Sequence, residues 1–227
     1  MKTKPLAIIL ISFLGISNFL FGIPAKAESN KIYVCPLGCE YSKIQEAVDA
    51  ASPGETIIVK VGTYYENVVL NKSLTLKSEE KAIIDAQYSG NPITVLADNC
   101  TIEGFEVRNS GPTEDNAGIF VASQGNVIKS NYCIGNFSGI ALSGIGGRKC
   151  EKNLIENNFC TGNQEEGIEI ESCNDIIVRG NTLQNNKMGI FVYLSFNIEV
   201  FLNNLLGNTL YNAYTSQSGV RWNSSEK

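Results

Sequence analysis

Ile155-Glu156-Asn157-Asn158-Phe159-Cys160-Thr161-Gly162-Asn163-Gln164-Glu165-Glu166-Gly167-Ile168-Glu169-Ile170 is one copy of a pattern that returns along the second half of the chain. An Asn follows a short apolar stretch, and a Gly-Ile pair comes about eight residues later. The Asn copies are Asn131, Asn158, Asn181 and Asn204, spaced 27, 23 and 23 apart, and the pairs begin at Gly139, Gly167 and Gly189. A looser early copy has Phe105 in the Asn place and Gly118-Ile119 after an insertion. A period in the low twenties describes a solenoid in which each repeat is one coil.

Aligning the copies gives columns. Three residues before the Asn stand Ile102, Ile128, Ile155, Val178 and Phe201; two after it stand Val107, Cys133, Cys160, Leu183 and Leu206. The Gly is followed by Ile119, Ile140, Ile168 and Ile190, then by Val121, Leu142, Ile170 and Val192 two places on. Spacing of two within short stretches bounded by Asn, Gly or Ser is that of strands with one buried face. Like residues in successive coils then stack about 4.8 Å apart. Stacked Asn amides at a bend can bond to each other and to corner backbone. The Gly column marks a second bend that needs positive φ or close approach. Crossovers between parallel strands are right-handed. The expected fold is all-β, a right-handed parallel β-helix, with clear coils over about 99–214.

The ends are read separately. Residues 1–27 have a signal peptide's form: Lys2 and Lys4, an apolar Leu6 to Ile23, and Ala25-Lys26-Ala27 as an A-x-A site. An uncleaved membrane anchor is the alternative, and no other stretch is long enough to span a bilayer. Cleavage leaves 28–227 as a single domain that starts at Glu28, secreted or displayed at the cell surface. It moves the net charge from −5 to −8 by removing Lys2, Lys4 and Lys26, which argues against nucleic acid as a partner. A helix over 41–51, with Ser42 and Gln45 as a capping box, is expected to cover the first coil. Thr56 to Val61, Val68 to Leu76 and Ile83-Ile84-Asp85 read as the first strands. At the other end Tyr211, Tyr214 and Trp222 are the candidates for a plug, and an open end would allow end-to-end self-association.

Seven Cys suit an exported chain. Cys35 and Cys39 are close in sequence, in Cys-Pro-Leu-Gly-Cys, and are expected to bridge. Cys150 and Cys173 each lie five residues before the apolar position of their own coil, so stacking brings them to disulfide distance. Cys133 and Cys160 also share a column, either bridged or packed as reduced apolar groups, and Cys100 is left over. With no His in the chain and no second C-x-x-C-like pair, no metal site is expected. Asn71, Asn99, Asn136 and Asn223 open glycosylation sequons.

The stretch Tyr41-Ser42-Lys43-Ile44-Gln45-Glu46-Ala47-Val48-Asp49-Ala50-Ala51-Ser52-Pro53-Gly54-Glu55-Thr56-Ile57-Ile58-Val59, followed by Gly62-Thr63-Tyr64-Tyr65-Glu66-Asn67-Val68, resembles the opening of exported β-helix proteins with pectate-lyase-like repeats. These are grouped as NosD-like, or carbohydrate-binding and sugar-hydrolysis, domains. Asn99-Cys100-Thr101-Ile102-Glu103-Gly104-Phe105 and the closing Asn212-Ala213-Tyr214 with Trp222 are similar to the same family. The resemblance spans nearly all of Ile32 to Trp222. It implies the fold, and a place on microbial, especially archaeal, cell surfaces. It implies much less about activity, because one fold hosts many functions. A chain without His and with two Met departs from the donor set that the copper-linked role of the NosD name needs.

The resemblance also implies where chemistry would sit, on an outward strand face. Family glycosidases use clustered carboxylates, and family lyases use an Arg or Lys base with Ca²⁺ held by acids. Here the candidates are Glu169 and Glu171, two apart on one strand, with Glu165, Glu166 and Asp175 nearby and Arg179 following. Such a pair could hold Ca²⁺, act as acid and base, or simply face solvent. Glu156 is expected at a solvated outward position. The outward column after the Asn reads Glu106, Tyr132, Phe159, Thr182, Leu205, so Tyr132 and Phe159 are neighbours. Phe191 and Tyr193 stand beside Glu169 and Glu171. These four aromatics suit stacking on sugar rings, and equally plain β propensity or a protein contact. The reading is a non-catalytic binder of a polysaccharide or surface glycan. The alternatives are a polysaccharide lyase or glycosidase, and a structural envelope protein.

Overall fold

The computed structural model describes residues 31–223, so the expected signal peptide and its cleavage site lie outside the described residues. The chain winds as a right-handed parallel β-helix with three sheets of nine, seven and seven strands. The first sheet runs from Lys31–Val34 to Val220–Asn223, the second from Thr63–Tyr64 to Asn204–Leu206, and the third from Val68–Leu70 to Tyr211–Ser216. Every strand pairing is parallel, and each coil visits the sheets in that order. The expected strand from Val68 to Leu76 is two strands, Val68–Leu70 and Thr75–Ser78, because the chain turns between the third and first sheets there.

The core is a set of vertical stacks. Ile102, Ile128, Ile155 and Val178 lie in register on the first sheet, and Val107, Cys133, Cys160 and Leu183 on the second. All eight have no exposed surface. The expected register slips by one in the last coil. Val200, not Phe201, pairs with Val178, and Leu205, not Leu206, pairs with Leu183. Asn204 therefore faces outward beside Thr182, and Leu205 turns inward. The spacing that counts is the 22 residues from Asn181 to Asn203, whose Oδ1 accepts from Asn181 N–H at 2.9 Å.

Asn ladders hold the corners. Asn158 accepts from the backbone N–H of Asn131 at 3.0 Å and donates to Ile128 O at 2.9 Å and to Asn181 Oδ1 at 3.0 Å. The corner backbone, which no strand can satisfy, is thus satisfied by side chains from adjacent coils. A second ladder of Asn136, Asn163, Asn186 and Asn208 serves the next corner in the same way. Its first member was expected as a glycosylation acceptor. Asn136 is fully buried and its amide is engaged in the ladder, so it offers no free acceptor, whereas Asn71 and Asn99 are exposed. Asn223 is exposed too, with the rest of its sequon outside the described residues.

The Gly column works through close approach. A Cβ on Gly139 would lie 2.5 Å from Gly167 O and 2.9 Å from the Asn163 amide nitrogen. The third-sheet strands begin where the ladder amides press against the backbone of the same coil stack, and only a hydrogen fits.

The N-terminal helix α1 spans Ile44–Ala50, shorter than expected. The Ser42/Gln45 capping box does not form. The Glu66 carboxylate reaches back from the coil and accepts from the N–H groups of Ile44 and Gln45 at 2.9 and 3.0 Å. At the other end Lys72 Nζ donates to the carbonyls of Val48, Asp49 and Ala51. An anion at the N-terminus and a cation at the C-terminus match the helix dipole, and both come from the coil that the helix covers.

The C-terminal aromatics do not form a plug. Trp222 continues the inward stack above Val200 but is 43% exposed, and Tyr211 and Tyr214 stand outward on the third sheet. Disulfides join Cys35 to Cys39 and Cys150 to Cys173, as expected, the second with a Cα–Cα distance of 4.8 Å. Cys133 and Cys160 face each other across adjacent coils as buried free thiols, and Cys100 is free and buried. Among the described residues no helix is long and apolar enough to cross a membrane.

Candidate functional site

The expected site residues fall on three different faces. Tyr132 and Phe159 are neighbours on the second sheet, with ring centroids 5.8 Å apart. Lys81 Nζ covers the Tyr132 ring at 3.7 Å and also pairs with Glu106. That face of Tyr132 is occupied by a cation of the protein itself. Arg179 lies on the first sheet, where Nε and Nη2 donate to Glu156 Oε2 at 2.9 and 2.6 Å. It is not beside Glu169, so it cannot act as their common base. Glu156, expected as a solvated position, is instead ion-paired.

Glu169, Glu171, Phe191 and Tyr193 do come together, on the third sheet. Glu169 pairs in register with Ala141 below and Phe191 above, and Glu171 with Ser143 and Tyr193. The Phe191 and Tyr214 rings are parallel, 5.8 Å apart, and Phe191 and Tyr193 stack at 6.4 Å. Below Glu169 the outward side chains become small, at Ala141, Ser143 and Ala122, and Phe120 follows in the next coil. That step from large to small opens a cleft of about 580 Å³, lined by these residues and by Glu114, Asp115, Ile145, Gly146 and Arg148.

Two departures from the repeat build its walls. Residues 111–116 carry Glu114 and Asp115, and residues 144–149 hold a short 3₁₀ turn at Ile145–Gly147 with Arg148 after it. Gly146 and Gly147 take φ of 75° and 81°, which Gly adopts without strain. Glu114, Asp115, Phe120 and Arg148 were missed in the sequence. The signal for Arg148 was the spacing of 27 rather than 23 between Asn131 and Asn158, and for Glu114 and Asp115 the insertion between Phe105 and Gly118, because a solenoid expels extra residues as a loop.

Three acids at the cleft are shifted upward. Burial, with Glu166 and Glu171 close by, pushes Glu169 up to about 8. Burial also raises Glu166, and burial followed by the charge of Glu114 raises Glu171. Ser138 Oγ lies 2.8 Å from Glu166 Oε2 and 3.3 Å from Glu169 Oε2. A hydroxyl has one proton to give. If it donates to Glu166, its link to Glu169 needs a proton on Glu169. At neutral pH the site therefore combines a carboxylic acid, neighbouring carboxylates and an aromatic shelf.

Residues 48–227 match the family described as periplasmic copper-binding protein (NosD). A cell surface glycoprotein of Methanothermus fervidus is 33% identical over 156 residues, 67% of this chain and 21% of the relative. A probable ABC transporter binding protein NosD of Pseudomonas aeruginosa is 33% identical over 134 residues, 56% of this chain and 31% of the relative. The chain thus spans between a fifth and a third of the curated relatives' length. Among solved structures, the pectate lyase Pel9A superposes with a TM-score of 0.63 at 18% identity, covering 84% of this chain and 63% of the lyase. At that identity the likeness is one of fold.

The copper in the family description does not fit these residues. The chain has no His, and among the described residues no three His, Cys, Asp or Glu side chains are grouped to hold a metal ion. Burial raises the Cys100 and Cys133 thiols, the latter well above the usual range and with Cys160 adding to it. That opposes the thiolate that a soft metal requires. The same lack of grouping applies to Glu169 and Glu171 as Ca²⁺ ligands. With residues 48–227 matched by the family and the parallel β-helix formed, the chain belongs to the NosD family of parallel β-helix proteins.

Proposed function

We propose that the chain works outside the cytoplasm as a glycan-binding β-helix module, with the third-sheet cleft as its binding site. The observation that carries this is the aromatic shelf of Phe191, Tyr193 and Tyr214 beside a cleft with a small-residue floor. Flat rings offer apolar area to the C–H face of a sugar, and carboxyl groups orient its hydroxyls. The surface location is supported by the family description and by the cell surface glycoprotein relative. The ladder-bound scaffold holds the site rigid, which limits the ordering cost of binding. The test is titration of the mature chain with oligosaccharides from surface and wall polysaccharides. Phe191→Ala with Tyr193→Ala should abolish binding, and Tyr132→Ala with Phe159→Ala should leave it intact. The reverse result would move the site to the second sheet.

One observation favours a second reading, hydrolysis. A protonated Glu169 two residues from Glu171 is the acid-and-carboxylate pairing of glycoside hydrolases. Release of reducing ends that Glu169→Gln removes would establish that reading. A lyase that uses Arg179 loses its support from the Arg179–Glu156 pair.

A further inference from the structure

The outward acids of the first and second sheets are neutralised by the protein itself. Glu103 pairs with Lys77 and Lys129, Glu156 with Arg179, Glu199 with Arg221, Glu106 with Lys81 and Asp85 with Arg108. Most of these partners stand in register one coil away. The cleft acids are different. Among the described residues Glu114, Glu169 and Glu171 enter no ion pair, and the cleft's cation is Arg148 on an exposed loop. Lys187, just before the adjacent strand, is taken by Glu165.

Resting on the glycan-binding reading, we infer that the cleft selects a glycan bearing free amino groups, so that the ligand's ammonium supplies the charge partner the third sheet lacks. The site itself stands on the cleft and the aromatic shelf; the acids decide the ligand's charge. A polyuronate would place carboxylates against Glu114 and Glu171, and like charges at close range repel. A metal ion would need a grouped donor set, which the described residues do not form. An ammonium needs no such set: each of its three N–H groups can bond a separate carboxyl oxygen. Its approach also favours the ionised form of Glu169, so binding releases a proton from a carboxyl that is otherwise protonated.

The experiment compares three oligosaccharides of equal length on the mature chain: glucosamine oligomers at a pH where the amine is charged, their N-acetylated counterparts, and oligogalacturonate with and without Ca²⁺. Glucosamine oligomers should bind about tenfold or more tighter than the N-acetylated form, a gap that added salt narrows. Glu114→Gln with Glu171→Gln should erase the gap, with the glucosamine form losing more affinity than the N-acetylated form, while Phe191→Ala weakens both alike. Equal binding of the two glucosamine forms, or preference for oligogalacturonate, would overturn the charge inference and leave the glycan reading standing. Binding of none of the three would overturn the glycan reading and this inference with it. Spermidine binding as tightly as a glucosamine oligomer would overturn the sugar part alone.

Discussion

On the first sheet the outward column runs Lys77, Glu103, Lys129, Glu156, Arg179, each residue beside one of opposite sign in the next coil. On the third sheet the outward column runs Thr94, Phe120, Ala141, Glu169, Phe191, Tyr214, with one acid and no cation. The two columns ride on the same coils and share the same interior. A stack of alternating charges closes on itself and leaves nothing for a ligand. A stack that mixes large, small and acidic residues leaves a depression, unpaired carboxyls and open ring faces. Titration follows the same division. Burial tends to raise Glu103 and Asp85, but Lys77 and Lys129 outweigh it for the first, and Asn109, Gln87 N–H and Arg108 for the second, so both are held low. In the cleft burial wins.

The largest expected effect tests the interior that both faces share. Ile155→Asp places an unpaired charge in a fully buried stack and should unfold the chain, at a cost of several kcal/mol. Survival with an ordinary melting curve would mean that the coils are not in the register described.

The next effect separates the faces by pH. Glu169 is raised from its ordinary 4.5 to about 8. Between these values the folded protein holds a proton that the unfolded chain releases, so stability falls as pH rises through that window and levels off above it. Glu169→Gln should remove that part of the slope and stabilise the protein at pH 8, by on the order of 1–3 kcal/mol. Asp85 runs the other way: its pKa is lowered, so its contribution is present at neutral pH and lost as pH falls. Denaturant melts of Glu169→Gln and Asp85→Asn across pH should tilt in opposite directions. Parallel curves would erase the distinction between the faces.

A smaller effect probes the charged stack. Glu156→Lys breaks the pair with Arg179 and sets a third cation beside Lys129 and Arg179. The loss should be about 1 kcal/mol, more than an ordinary surface change, and salt should relieve it. A loss that is insensitive to salt would mean that the column is not held by charge. The smallest effect belongs to the second sheet. Tyr132→Ala should shift glycan binding little and cost under about 1 kcal/mol, the worth of its contacts with Lys81 and Phe159. A large loss of affinity would show that the shelf continues around the corner.

Periodicity alone made the β-helix legible, because a coil that must repeat its buried face writes that face into the sequence every 22 to 27 residues. The interior columns, the Asn ladder at the first corner, the Cys150–Cys173 bridge and the meeting of Glu169 and Glu171 with Phe191 and Tyr193 all follow from that register. It failed in the last coil, where Asn203-Asn204 offers two adjacent Asn and only the hydrogen bond to Asn181 decides between them. Helix capping was also out of reach, since Glu66 and Lys72 act across some twenty residues of chain. Above all, the cleft was decided in three dimensions. Its walls come from insertions that break the repeat, and a loop's path is set by what it packs against rather than by a period. Whether an outward acid is neutralised depends on which residue the next coil sets beside it. That neighbour is fixed by register, and the resulting charge by the sum over faces that only the folded coil brings together.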